Sequence, residues 1–208
     1  MILIGQYDSP FVRRVGIALR LYDRPFEHRP WSVFGDADRI RVHNPLTRVP
    51  TLVLDGGEAL IDSAAILDHL DSLVPADVAL APRDEPARRR VLRVAALATG
   101  LADKAVSLFY ERRLHDVASP VWTERCRQQL GATLAVLEAE RAVNAAPFWF
   151  GDRISHADIA VACALRFADE AHPGLVDRAA LPALAQSTDA LEAMAVFQEI
   201  RQPFIAPA

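Results

Sequence analysis

The residue pattern predicts an α/β half followed by an all-helical half, and three observations predict it. Across the first eighty residues the apolar spacing switches repeatedly between a strand period of two and a helical period of 3.6. A Pro- and charge-rich stretch, "PADVALAPRDEPARRR", then interrupts the pattern. Beyond it every strong apolar repeat is helical and Ala-rich. We place the boundary near residue 80, with one domain over 1–78 and a second over 84–208.

The elements follow in order. "MILIG" reads as a short buried strand, and the segment from Pro10 to Tyr22 puts Val12, Val15, Leu19 and Tyr22 on one helical face. "PFEHRP" allows a second strand from Phe26 to Arg29, and a short helix is predicted from Asp36 to Val42. "VPTLVLDGGEAL" reads as two strands joined by a turn, with Asp55-Gly56-Gly57 supplying the left-handed residues. Asp62 and Ser63 then head a capped amphipathic helix with Ile66, Leu67, Leu70 and Leu73 at helical spacing.

Past the boundary, a long helix is predicted from Glu85 to His115, with Val91, Val94, Ala98, Leu101, Ala105, Leu108 and Phe109 as its stripe. Glu85 and Arg89 form an i,i+4 pair on it, and the triple arginine 88–90 reads as a solvated face. Another helix runs from Val121 to Val143. "ADIAVACAL" is apolar nearly all round, as in a helix buried at the centre of a bundle. "ISHADI" before it offers Ser155 as N-cap, Asp158 as an acidic capping-box partner, and Ile154 with Ile159 as a hydrophobic staple. A catalytic reading of Ser155, His156 and Asp158 fails, because neighbours on one helical turn point apart and cannot relay a proton.

Composition narrows the function. The 208 residues carry 23 basic and 27 acidic side chains, a net charge of -4, with no long block of one sign, which argues against nucleic acid or an anionic membrane as partner. Cys126 and Cys163 lack the spacing of a disulfide framework or a zinc site, and the expected compartment is the reducing cytoplasm. No basic leader with a long apolar segment and no run of about eighteen apolar residues is present, so neither secretion nor membrane spanning is expected.

Taken singly, "NPLTRVPTLVLDGG" and "IDSAAILDHL" are weak signals: a proline ahead of a strand, and a helix N-terminus able to hold an anion. Taken in order with a hydroxyl-bearing first turn and "GDRISHADIAVA", they resemble the cytosolic glutathione S-transferases, of a serine-type, bacterial-like kind, along essentially the whole chain. The resemblance implies a thioredoxin-like N-terminal domain that binds glutathione and an all-α domain that lines an electrophile pocket. It also implies a homodimer, glutathione as co-substrate with no metal, and a detoxifying transferase reaction on a small hydrophobic electrophile. A glutathione-dependent isomerase, lyase or dehalogenase is the alternative on the same fold. A non-catalytic glutathione-binding or regulatory module is the alternative from another class.

By the resemblance, Val49 pairs its backbone with the cysteinyl part of glutathione, with Pro50 in the cis form. Asp62 and Ser63 hold the γ-glutamyl end, and Arg48 the glycyl carboxylate. Thr47 departs from the family's usual glycine and stiffens the loop before Val49. The hydroxyl that activates the thiol is Ser9, whose spacing before "RVGIAL" matches serine-type members; Tyr7, at the end of the first strand, is the alternative. A thiol with a pKa of about 8.5 needs a donor and positive potential to become thiolate. Phe11 stands where zeta-like members carry a cysteine, which speaks against their isomerase activity. Phe109, Tyr110, Arg113 and the tail "QPFIAPA" are the remaining pocket candidates, and Asp103 is a candidate for the partner subunit's glutathione ammonium.

Overall fold

The computed structural model describes residues 1–206. Its first half runs β1 (Ile2–Ile4), α1 (Pro10–Leu21), β2 (Glu27–Arg29), α2 (Ala37–Arg41), β3 (Thr51–Val53), β4 (Ala59–Ile61) and α3 (Ser63–Ser72). This is the predicted βαβαββα order, with ends moved by a residue or two. The sheet order is β2-β1-β3-β4; β1 lies parallel to β2 and antiparallel to β3, and β3 antiparallel to β4. Alternation along each strand divides its side chains between two faces. Leu3 and Leu52 enter the core under α1 and α3, while Ile4 and Val53 join Ile40 of α2 on the opposite face. Gly5, at φ +128°, lets the end of β1 pass close to α1 and the loop before β3, because a Cβ there would stand 2.5 Å from Val12 and 2.8 Å from Val49.

The second half consists of α4 (Ala87–Leu114), α5 (Pro120–Ala142), α6 (His156–Ala171), a short 3₁₀ turn, α7 (Pro182–Glu192) and α8 (Ala195–Glu199). Helix α6 is buried on almost every side for a more specific reason than a central place in the bundle. Ala157, Ala160, Val161, Ala164 and Leu165 face the helical core, and Ile159, Ala162 and Cys163 complete the core of the first half. The two halves are therefore joined through α6, which contributes to both cores. The connecting segment, which reads as a linker, is packed: Ala79, Leu80 and Ala81 are buried. Arg88 of the triple arginine reaches back to Asp68 at 2.7 Å, tying α4 to α3. Cys126 and Cys163 are buried free thiols. Among the described residues no helix is long and apolar enough to cross a membrane.

A buried polar cluster joins the halves. Tyr22 and His156 both donate to Asp71, the latter through Nε2 at 2.8 Å, and the Leu80 N–H donates to the Tyr22 hydroxyl at 2.7 Å. His156 Nδ1 has no partner. A neutral ring with its proton on Nε2 leaves no orphan donor, whereas an imidazolium would bury one. Burial accordingly holds the His156 pKa below the usual histidine value despite Asp71. The unfolded chain then takes up this proton before the folded one does, so stability falls as pH drops from about 6.5. His156→Gln, which can keep the bond to Asp71, is expected to lose less stability between pH 7 and pH 5 than the wild type in paired denaturation curves. Equal losses would show that the histidine does not titrate in this range.

Candidate functional site

The loop before β3 is built by Asn44. Its Nδ2 donates to the Arg48 carbonyl at 2.9 Å and to Thr51 Oγ1 at 3.1 Å, and its Oδ1 accepts from the Leu46 N–H at 3.0 Å. Thr47 adopts φ +51° inside this closed loop, a left-handed conformation that costs a β-branched residue roughly 1–2 kcal/mol and suits the glycine it replaces. The Val49–Pro50 peptide is cis. Asp62 caps α3 at φ +67°, its carboxylate accepting the Ala64 N–H at 2.8 Å, and Ser63 is buried beside it.

These elements line a cavity of about 390 Å³ with Arg48, Val49, Pro50, Asp62 and Ser63 on its wall, so all five residues expected to hold the peptide meet in one place. Arg14 also lines it, with Nη1 3.5 Å from Ser63 Oγ. A second cavity of about 620 Å³ adjoins the first and shares Phe11, Leu46, Arg48, Val49 and Asp103 with it. Its walls are aromatic. Phe34 meets Tyr110 edge to face at 5.6 Å, Phe204 meets Phe109 and Phe167 at 5.1 and 5.6 Å, and Arg29 and Arg39 stack on Trp31. Burial raises the Tyr110 phenol above its ordinary value.

The extended tail closes one side of this second cavity. The Phe204 N–H donates to Glu170 at 2.9 Å and the Ile205 N–H to Asp8 at 3.3 Å. Burial pushes the Asp8 carboxyl up. Phe11, Phe109 and Tyr110 line the cavity as expected, but Arg113 stands exposed one turn beyond Tyr110, and Leu114 closes the wall there. Asp103 faces both cavities of its own chain, 3.0 Å from Lys104. Pro207 and Ala208 of the tail lie outside the described residues.

The two hydroxyls of the first turn part company. Ser9 is the N-cap of α1, accepting the Val12 N–H at 3.4 Å, and lines the aromatic cavity. Tyr7 lines neither cavity. Its ring stacks on His28 at 3.8 Å, packs against Gly16, and has its phenol pushed up to about 12 by burial, with Arg20 and Glu199 as the neighbouring charges. The adjacent arginines also separate. Arg13 is buried, pairs Nη1 and Nη2 with Glu192, and donates to the carbonyls of Phe197 and Ile200; it ties α1 to α7 and α8.

The sequence alone did not point to Asn44, Trp31 or Phe34, and Arg14 entered only with Arg13, in the stretch "QYDSPFVRRV", as a pair able to hold a thiolate. A signal for Arg14 existed. Ile17 and Ala18, three and four residues further on, make the face of α1 that carries Arg14 apolar, so an arginine there had to be paired or used.

A four-stranded sheet of this topology, with a cis proline entering β3 and an all-helical half packed against it, defines a thioredoxin-like scaffold joined to a helical domain. The chain belongs to the glutathione S-transferase family: the family's N-terminal domain matches residues 3–78 and its C-terminal domain residues 120–186. It is 32% identical to the GST-like protein YibF of Escherichia coli (strain K12), over 94% of this chain and 96% of that one. A maleylacetoacetate isomerase of Pseudomonas aeruginosa is 30% identical over 76% of this chain and 77% of its own. Among solved structures, a glutathione S-transferase from Methylobacterium radiotolerans in complex with glutathione sulfonate superposes with a TM-score of 0.89 at 30% identity, covering 100% of this chain and 98% of that one.

Proposed function

We propose that the protein activates the thiol of glutathione for attack on a small hydrophobic, ring-bearing electrophile. The observation that carries this reading is the pair of adjoining cavities meeting at Val49, one of mixed polarity and headed by α3, the other aromatic and holding Ser9. The γ-glutamyl end would lie against Asp62 and Ser63, the cysteinyl amide would add to the backbone of Val49 as an extra strand, and Arg48 would meet the glycyl carboxylate. The sulfur would then stand where the two cavities join, near the N-terminus of α1.

The aromatic cavity argues for transfer over isomerisation of a dicarboxylate. Asp8 and Asp103 line it with Arg48, and Arg48 is the residue proposed for the glycyl carboxylate, so the charged groups lining the cavity offer no second cation for a diacid. Phe11 lines the junction in place of the cysteine of zeta-like members. We place the enzyme in the cytoplasm as a homodimer; its two free thiols fit a reducing compartment.

Calorimetry with glutathione, followed by turnover of an activated aryl halide and of a cis-alkene diacid, tests the reading. Binding with turnover of the aryl halide supports it. Turnover of the diacid alone would make the protein an isomerase, and binding without turnover of either would make it a binding module. Ser63→Ala is expected to weaken glutathione binding by roughly 1–3 kcal/mol, the cost of removing one partner from a charged, partly buried hydrogen bond. Unchanged affinity in that variant would remove Ser63 from the ligand.

A further inference from the structure

The aromatic cavity contains a carboxylate that the assignments above leave without a role. Asp8 lines it beside Ser9, and its Oδ2 accepts the Ile205 N–H at 3.3 Å. Among the described residues no cation stands within ion-pair distance of it, whereas its acidic neighbour Glu170 is paired with Arg166 at 2.7 Å. Burial pushes the Asp8 carboxyl up, and the negative charge of Glu170 adds to that push. A carboxylate so placed is costly until an opposite charge comes to it.

The walls say what carries that charge. Phe204 stands edge to face with Phe109 at 5.1 Å and with Phe167 at 5.6 Å, and all three rings line the cavity with Asp8. Ring faces carry negative potential and attract organic cations, most strongly where water is excluded. The other charged groups on the wall are Arg48 and Asp103. Arg48 also lines the first cavity, where it is assigned to the glycyl carboxylate, and Asp103 lies 3.0 Å from Lys104. What remains for the second substrate is aromatic surface and one unpaired carboxylate, in a space of about 620 Å³ that holds a ring and a compact head group together. We propose that the second substrate carries an organic cation, a protonated or alkylated amine, and that Asp8 binds this head group together with the rings of Phe109, Phe167 and Phe204. This rests on the transferase reading and adds to it the charge of the electrophile. It also couples binding to the chemistry: a carboxylate in the cavity where the thiolate must form works against it, and the arriving cation cancels that charge.

The test uses two activated aryl halides of one shape, 4-chloro-3,5-dinitrobenzyl-trimethylammonium and its neutral carbon isostere, 1-chloro-2,6-dinitro-4-neopentylbenzene. With each, the glutathione thiolate bonds to the ring carbon and chloride leaves with its electron pair. Dividing kcat/KM by the rate constant of the uncatalysed reaction with glutathione removes the difference in intrinsic reactivity. The full-length wild type should then prefer the cation by about tenfold or more, and Asp8→Asn, which keeps an acceptor for the Ile205 N–H, by less than about threefold. A wild type that takes the neutral compound equally well or better overturns the inference and leaves the transferase reading standing, as does a variant that keeps the preference. Turnover of neither compound overturns both. Should Asp8→Asn fail to fold, the wild type decides. The thiol pKa of its bound glutathione, read by thiolate absorbance, should fall on saturation with unreactive benzyltrimethylammonium and not with neopentylbenzene, and equal values with the two would overturn the inference.

Discussion

Ser9→Ala is expected to slow turnover at neutral pH by at least about tenfold and to raise the pKa of bound glutathione, while Tyr7→Phe does much less. One pKa unit corresponds to about 1.4 kcal/mol, the scale of a single charge-assisted hydrogen bond assisted by a helix N-terminus. Ser9 is placed to supply both. Its oxygen accepts the Val12 N–H at 3.4 Å, which leaves the hydroxyl proton to donate into the cavity it lines, at the positive end of the twelve-residue α1. Tyr7 is stacked on His28 away from both cavities, and a phenol held at about 12 by burial gains nothing from ionising. Thiolate absorbance against pH, with glutathione affinity measured in each variant, gives the comparison. Because Ser9 also caps α1, Ser9→Gly is the control: it removes the hydroxyl at a capping cost of only a few tenths of a kcal/mol. The opposite ranking would make this a tyrosine-type enzyme. No effect from either substitution would leave the thiolate to backbone N–H groups.

Asp158→Ala is expected to be the most damaging substitution for stability, by about 3 kcal/mol or more, which in a chain of this size lowers the melting temperature by roughly 6–12 °C. The carboxylate accepts the Trp149 N–H at 2.7 Å, the Ser155 N–H at 2.9 Å and the Ser155 hydroxyl at 2.6 Å, and the residue is 1% exposed. Truncation leaves two backbone donors buried without partners, in addition to losing the capping box of α6. Ser155→Ala removes one of the three bonds and should cost about 1 kcal/mol. Glutathione affinity below the transition should be unchanged in both, because this junction lies outside both cavities. A variant with full stability and no turnover would return Ser155, His156 and Asp158 to consideration as catalytic groups.

Much of this was legible in the chain itself, for a physical reason. Strand and helix periods, the Asp-Gly-Gly turn, the caps at Asp62 and Ser155, the staple of Ile154 and Ile159, and the proline entering β3 are all contacts between residues close in sequence. The candidate glutathione-binding residues were legible too, because a cis-proline loop and the helix N-terminus that follows it are local structures. Where two identical neighbours diverge, the chain was silent. Arg13 and Arg14 lie about 100° apart on α1. One turns to Glu192, 179 positions away, and the other to Ser63, 49 positions away.

Ser9 and Tyr7 differ in the same way: Ser9 lines the aromatic cavity, whereas Tyr7 stacks on His28 near Glu199. The aromatic cavity is assembled from Phe11, Trp31, Phe34, Tyr110 and Phe204 on four separate segments, and no local pattern announces a wall built from such distances. Sequence by itself determined which elements form and where a peptide's backbone and anionic end could be held, because short-range geometry decides both. Tertiary structure alone decided which of the two hydroxyls lines the aromatic cavity, which arginine is left without an ion-pair partner among the described residues, and how the walls of that cavity are built, because each depends on how α1, α4 and the tail pack against one another.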